Sequence, residues 1–171
     1  MQLHDNSRSA GWGCDRIPKK TEASPTGWDR GTAPLAPDRL ANGVPMTERK
    51  NRMVLVVDCS GDAREITGEL LASAGYPVKT AASLKEARNI CSETKIDLML
   101  IEYEMPGMDG LDFAKEMKGI QPDMTVVVIS AWGDDRLNDA VGRHEVANLQ
   151  KPFTSTALEA TVDSMLSAKS I

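Results

Sequence analysis

Asp58, Cys59, Glu102, Ser130 and Lys151 of this 171-residue chain are side chains whose types and placement could do chemistry together. Each stands at the end of a short apolar run. Val54 to Val57 leads into Asp58 and Cys59, Leu98 to Ile101 into Glu102, Val126 to Ile129 into Ser130, and Val146 to Leu149 into Gln150 and Lys151. Carboxylates are hard oxygen ligands that can hold a cation such as Mg²⁺ or face an ammonium group. Lysine supplies a fixed positive charge and serine a hydrogen-bond donor. A thiol is soft and matches Mg²⁺ poorly. The five are far apart in sequence, so they act together only if a fold gathers the ends of these runs.

The pattern from Met53 onward predicts such a fold. Short apolar runs alternate with segments of helical period. Met53 to Asp58 reads as a fully buried strand. Ser60 caps a helix whose Ile66, Leu70 and Leu71 share a face and which ends near Gly75. Pro77 to Thr80 is a short second strand. Ser83 and Glu86 form a capping box ahead of Leu84, Ala87 and Cys91. Asp97 to Glu102 is a third strand, followed by the turn signal Met105-Pro106-Gly107-Met108-Asp109-Gly110. Leu111, Ala114 and Met117 mark the third helix and Met124 to Ser130 the fourth strand. Leu137, Ala140 and Val141 mark a polar fourth helix, and Val146 to Leu149 a fifth strand. Leu158, Val162, Met165 and Leu166 define a final amphipathic helix. Five strands alternating with about five helices imply an α/β, doubly wound, five-stranded parallel sheet. Ligands of such sheets bind outside the carboxyl ends of the strands, where the five residues lie.

Composition narrows the function classes. Hydrophobic residues make up 41% and charged residues 26%, which excludes a wholly disordered or fibrous chain. No apolar run approaches a membrane span, and the N-terminus lacks the apolar core of a secretory signal. Three widely spaced cysteines (Cys14, Cys59, Cys91) suit a reduced cytoplasm rather than a disulfide framework or a four-cysteine zinc site. The net charge of -5 disfavours nucleic acid as a partner. The charge is uneven: residues 1–52 carry nine basic and six acidic residues, the remainder eleven and nineteen. Residues 1–52 also hold five of the nine prolines and no helical or strand period. They read as a disordered extension before a domain over 53–168, with Met46 as an alternative start. Trp12 and Trp28 are the aromatic anchors a docking tail would use, against the plainer reading of a tail with no role.

The ordered part resembles the response-regulator receiver domains of two-component, chemotaxis-type signalling, from about Met53 to Ala168. The residues that carry the resemblance are V-L-V-V-D ending at Asp58, D-L-M-L-I-E-Y-E-M-P-G-M-D-G from Asp97 to Gly110, V-V-V-I-S-A ending at Ala131, and L-Q-K-P-F from Leu149 to Phe153. Each is weak alone; in this order they are specific. The resemblance implies the CheY-like, flavodoxin-like strand order 2-1-3-4-5. It implies a module that takes a phosphoryl group onto an aspartate at the third strand end. An acid pair after the first strand helps hold Mg²⁺ there, and a Ser/Thr and a Lys contact the phosphoryl oxygens.

The chain departs from that pattern where the chemistry happens. Glu102 replaces the acceptor aspartate, and its extra methylene pushes the carboxylate into the space of metal or phosphoryl. Cys59 replaces one acid of the pair and leaves Asp58 alone, so no cofactor is expected and the Mg²⁺ site reads as defective. Ser130 and Lys151 match. Asn148 stands at the position of the aromatic switch. The expectation is a degenerate, stand-alone receiver, not an enzyme, in which Glu102 pairs with Lys151 and with Ser130. It would act in the cytoplasm through protein contacts with a histidine kinase or a downstream signalling protein. Such contacts would use Arg136, Asn138, Asp139, Arg143, His144 and the segment around Thr154 to Glu159. The alternative is a working phosphoacceptor at Asp58 or Glu102 with altered metal dependence. A flavodoxin-like phosphate binder is disfavoured, because Cys59-Ser60-Gly61-Asp62 is short and acidic for a phosphate loop. The plainer readings are Cys59 as a small neutral filler, Cys91 as core, Asp109 as a structural turn residue and His144 as a surface histidine. Trp132 is a partner anchor or a cover for the pocket.

Overall fold

The computed structural model describes residues 44–131, 135–143 and 145–168. The expectations for Trp12, Trp28, Trp132, His144 and the extension as far as residue 43 lie outside these residues. The strands are β1 (Val54–Val57), β2 (Val78–Ala81), β3 (Leu98–Glu102), β4 (Thr125–Ser130) and β5 (Ala147–Gln150). The helices are α1 (Met46–Arg49), α2 (Gly61–Ser73), α3 (Leu84–Glu93), α4 (Gly110–Ile120), α5 (Asp135–Gly142) and α6 (Ser155–Ser167). All strand pairs are parallel, in the order β2-β1-β3-β4-β5. Parallel pairing is what the alternating pattern predicts, and the strand order is the one the receiver-domain resemblance implies.

β1, β3 and β4 are buried along their whole length, as expected of central strands covered on both faces. Their alternate side chains feed two cores. One holds Leu55, Val57, Met99, Ile101, Val126 and Val128 with the apolar faces of α3, α4 and α5. The other holds Val54, Val56, Leu98, Leu100, Val127 and Ile129 with Leu71, Leu158, Val162 and Leu166.

Local signals account for the helix ends. Ser60, Ser83, Asp109 and Thr154 each accept a backbone N–H from three residues on. The box at Ser83 is one residue wider than expected, because the Glu86 carboxylate accepts from Ala82 N at 2.8 Å. Gly107 has φ +91°, the conformation that the Met-Pro-Gly turn needs glycine to adopt.

Two expectations are corrected. Ile66 does not share the buried face of α2; it is 58% exposed. The buried face runs through Thr67, Gly68 and Leu71, because α2 approaches β2 closely at Gly68, where an added Cβ would lie 3.4 Å from Thr80 Cγ2. The ordered domain also begins before residue 53. Val44 and Arg49 are buried, and α1 lies within the stretch read as an extension.

Candidate functional site at the carboxyl edge of the sheet

The carboxyl ends of β1, β3 and β4 and the segment after β5 bring Asp58, Glu102, Ser130 and Lys151 to one edge. Asp58 follows β1 directly, and its amide donates to Ala81 O of β2 at 3.2 Å. Its Oδ1 accepts from Ser60 N at 2.8 Å, and Arg64 Nη1 donates to its carbonyl at 2.7 Å. The start of α2 therefore fixes both the side chain and the backbone of this residue. Glu102 ends β3, and its Oε1 lies 3.5 Å from Glu104 N. Both carboxylates are buried.

Lys151 lies between them. Its amide donates to Ser130 O at 2.8 Å, which continues the β4–β5 pairing by one residue. Its Nζ donates to Glu102 Oε2 in a direct ion pair and stands 3.8 Å from Asp58 Oδ2. One half-exposed cation thus faces two buried carboxylates. Burying either carboxylate without a counter-charge would cost several kcal/mol, on the order of the penalties for isolated buried ions. The expected pairing of Glu102 with Lys151 is therefore present. The expected pairing with Ser130 is not: Ser130 Oγ donates to Asn148 Oδ1 at 3.0 Å. The pocket hydroxyl is turned along the sheet toward β5, away from Glu102. The register explains this, since Asn148 lies beside Val128, two residues from Ser130 on the same face of neighbouring strands.

Cys59 is half-buried against the core under α3 and α4. Asp109 has the structural role expected of it: it caps α4 by accepting from Asp112 N at 2.8 Å and pairs with Arg136 at 2.8 Å. Arg136 also reaches Asp112, and this hydrogen bond holds the Asp112 carboxyl below its ordinary range. Arg136 therefore ties the start of α5 to the start of α4. Asn138, Asp139 and Arg143 are exposed.

The donor set does not fit Mg²⁺. Glu102 is held by an ammonium group, Asp58 is the remaining acid of its pair, and the sulfur of Cys59 is a soft donor. Among the described residues no group of three His, Cys, Asp or Glu could hold a metal ion. No helix among them is long and apolar enough to cross a membrane.

The position of Glu102 depends on a glycine the sequence reading did not single out. A Cβ at Gly110 would lie 2.4 Å from Glu102 O, so the first turn of α4 packs directly on the end of β3. The signal was present in the turn Met108-Asp109-Gly110, but the contact it serves is tertiary.

Comparison with known proteins agrees with this architecture. The response regulator receiver domain family matches residues 54–163. The chain is 29% identical over 121 residues to sporulation initiation phosphotransferase F of Bacillus subtilis (strain 168), covering 70% of this chain and 98% of that protein. It is 32% identical over 116 residues to the transcriptional regulatory protein GlrR of Escherichia coli (strain K12), covering 66% of this chain and 26% of that protein. Among solved structures, a response regulator receiver domain protein from Clostridium thermocellum is 30% identical, with a TM-score of 0.62 over 69% of this chain and 96% of that one. A parallel sheet in this strand order, with the acid, hydroxyl and lysine positions on its carboxyl edge and a family match across nearly all of it, makes this chain a member of the response regulator receiver domain family.

Proposed function

We propose that this receiver domain signals without the usual phosphorylation cycle, as a binding module held in one state by the Glu102–Lys151 ion pair. The single observation behind this reading is that Lys151, the cation that would meet an incoming phosphoryl group, is already engaged by the carboxylate at the acceptor position. Electrostatics supports it. An anion entering the pocket must displace Glu102 from Lys151 while approaching Asp58 and Glu102, both negative. The acceptor carboxylate also has no developed Mg²⁺ set beside it to neutralise the charge of a transferring group. The domain acts through contacts with signalling proteins of two-component systems, a histidine kinase or a downstream component. Similarity to sensor kinases such as CckA of Brucella abortus (strain 2308), at 29% identity over 150 residues, supports that class of partner.

The test is intact mass of the purified protein after incubation with Mg²⁺ and a small acyl-phosphate donor, beside a Glu102→Asp variant. The expected result is no phosphoryl adduct on the wild type. A stable adduct on wild-type Asp58 or Glu102 overturns the reading and establishes a working phosphoacceptor with altered metal dependence.

A further inference from the structure

On the opposite side of the sheet from α3 and α4, a four-residue helix is held by a buried charge. A helix as short as α1 has no stability of its own, so its place depends on tertiary contacts. Arg49 supplies them. It is 7% exposed and uses each arm of its guanidinium. Nε donates to Val44 O at 3.0 Å, Nη1 to Ala74 O at 2.9 Å just past the end of α2, and Nη2 to Asp163 Oδ2 on α6. Tyr76 Oη donates to the other oxygen of Asp163, and the guanidinium lies 5.4 Å from the centre of the Tyr76 ring. Glu159 adds a second acid 3.7 Å from Nη1. Both partners of this pair are buried and satisfied. Val44 joins Leu71, Tyr76, Val162 and Leu166 in the second core.

We propose that residues 44–52 are an intramolecular strap, locked by Arg49, that occupies the face between the end of α2 and α6. The strap covers that face and packs Val44 into the second core. An apolar residue at position 49 would bury as well but would hold no direction. The planar fork fixes α1 against two carbonyls and one carboxylate at once. The alternative start at Met46 would remove Val44, and with it both a core side chain and the acceptor for Nε. This inference is independent of the reading of the Glu102 pocket.

The test is hydrogen–deuterium exchange of the full chain with Arg49→Ala, Arg49→Lys and Asp163→Asn. Arg49→Ala and Asp163→Asn are expected to speed exchange in residues 44–52 and 74–76 at least about tenfold, with β3 and β4 unchanged. Arg49→Lys, which keeps the charge toward Asp163 but loses the fork, should fall between wild type and Arg49→Ala. Exchange in residues 44–52 that stays at the wild-type rate in Arg49→Ala and Asp163→Asn overturns the lock. Acceleration of all segments together in all three variants, including Arg49→Lys, overturns the strap as a separable unit.

Discussion

Lys151 reaches across the end of β4 to pair with Glu102 at the end of β3, and the same ammonium stands 3.8 Å from Asp58. The lysine thereby compensates two buried carboxylates from two strands. Its value to the fold is larger than that of an exposed ion pair, although its own partial exposure keeps it below that of a fully buried one.

Lys151→Met should therefore destabilise the domain by about 1–3 kcal/mol, because it leaves both carboxylates without their cation. Glu102→Gln should cost less, since Lys151 keeps Asp58. Urea midpoints at constant m-value measure both, and equal losses would contradict the sharing of one cation.

Asn148→Ala should cost about 1–2 kcal/mol by leaving the Ser130 hydroxyl buried without its acceptor. Ser130→Ala in the same background should recover part of the loss, because the orphaned hydroxyl is then gone. A double-mutant cycle reads the coupling, and strict additivity would show that the 3.0 Å contact contributes nothing.

Gly110→Ala should destabilise by about 1–3 kcal/mol, as overpacking does at rigid sites. The new methyl meets backbone rather than a flexible side chain, at 2.4 Å from Glu102 O. Gly119→Ala, where an added Cβ meets nothing within 4 Å, is the control and should be neutral or slightly stabilising. Thermal unfolding of the two variants separates them.

Alkaline pH should weaken the fold through Tyr76 and Cys91. Burial, then the hydrogen bond to the Asp163 carboxylate, raises the Tyr76 phenol above its ordinary value of 10.0. Burial also pushes the Cys91 thiol above 9.0. Both groups are harder to ionise folded than unfolded. Their contribution is full below the unfolded values and is lost as pH rises from there through the folded values. Denaturant midpoints between pH 8 and 11 should fall, and Tyr76→Phe should flatten the slope above pH 10. Cys91 should also resist alkylation in the native protein at pH 8 and react after unfolding.

The sequence by itself determined the sheet. Runs such as Val54–Val57 and Val126–Ile129 are apolar at every position, which only strands covered on both faces can bury. The caps Ser60, Ser83, Asp109 and Thr154 were legible because a cap acts within three residues of itself. The residue types of the site were legible as well, because strand ends meet at one edge of any parallel sheet. Which atoms pair there was decided by tertiary structure. Ser130 faced a choice between Glu102 and Asn148, and the β4–β5 register settled it. Ile66 had the period of a core residue, and the approach of α2 to β2 at Gly68 turned it outward. Arg49 lies in a stretch with no helical or strand period. It is ordered by Ala74 and Asp163, which lie far along the chain, and no local pattern encodes a guanidinium whose partners arrive only when α2 and α6 pack on the same face.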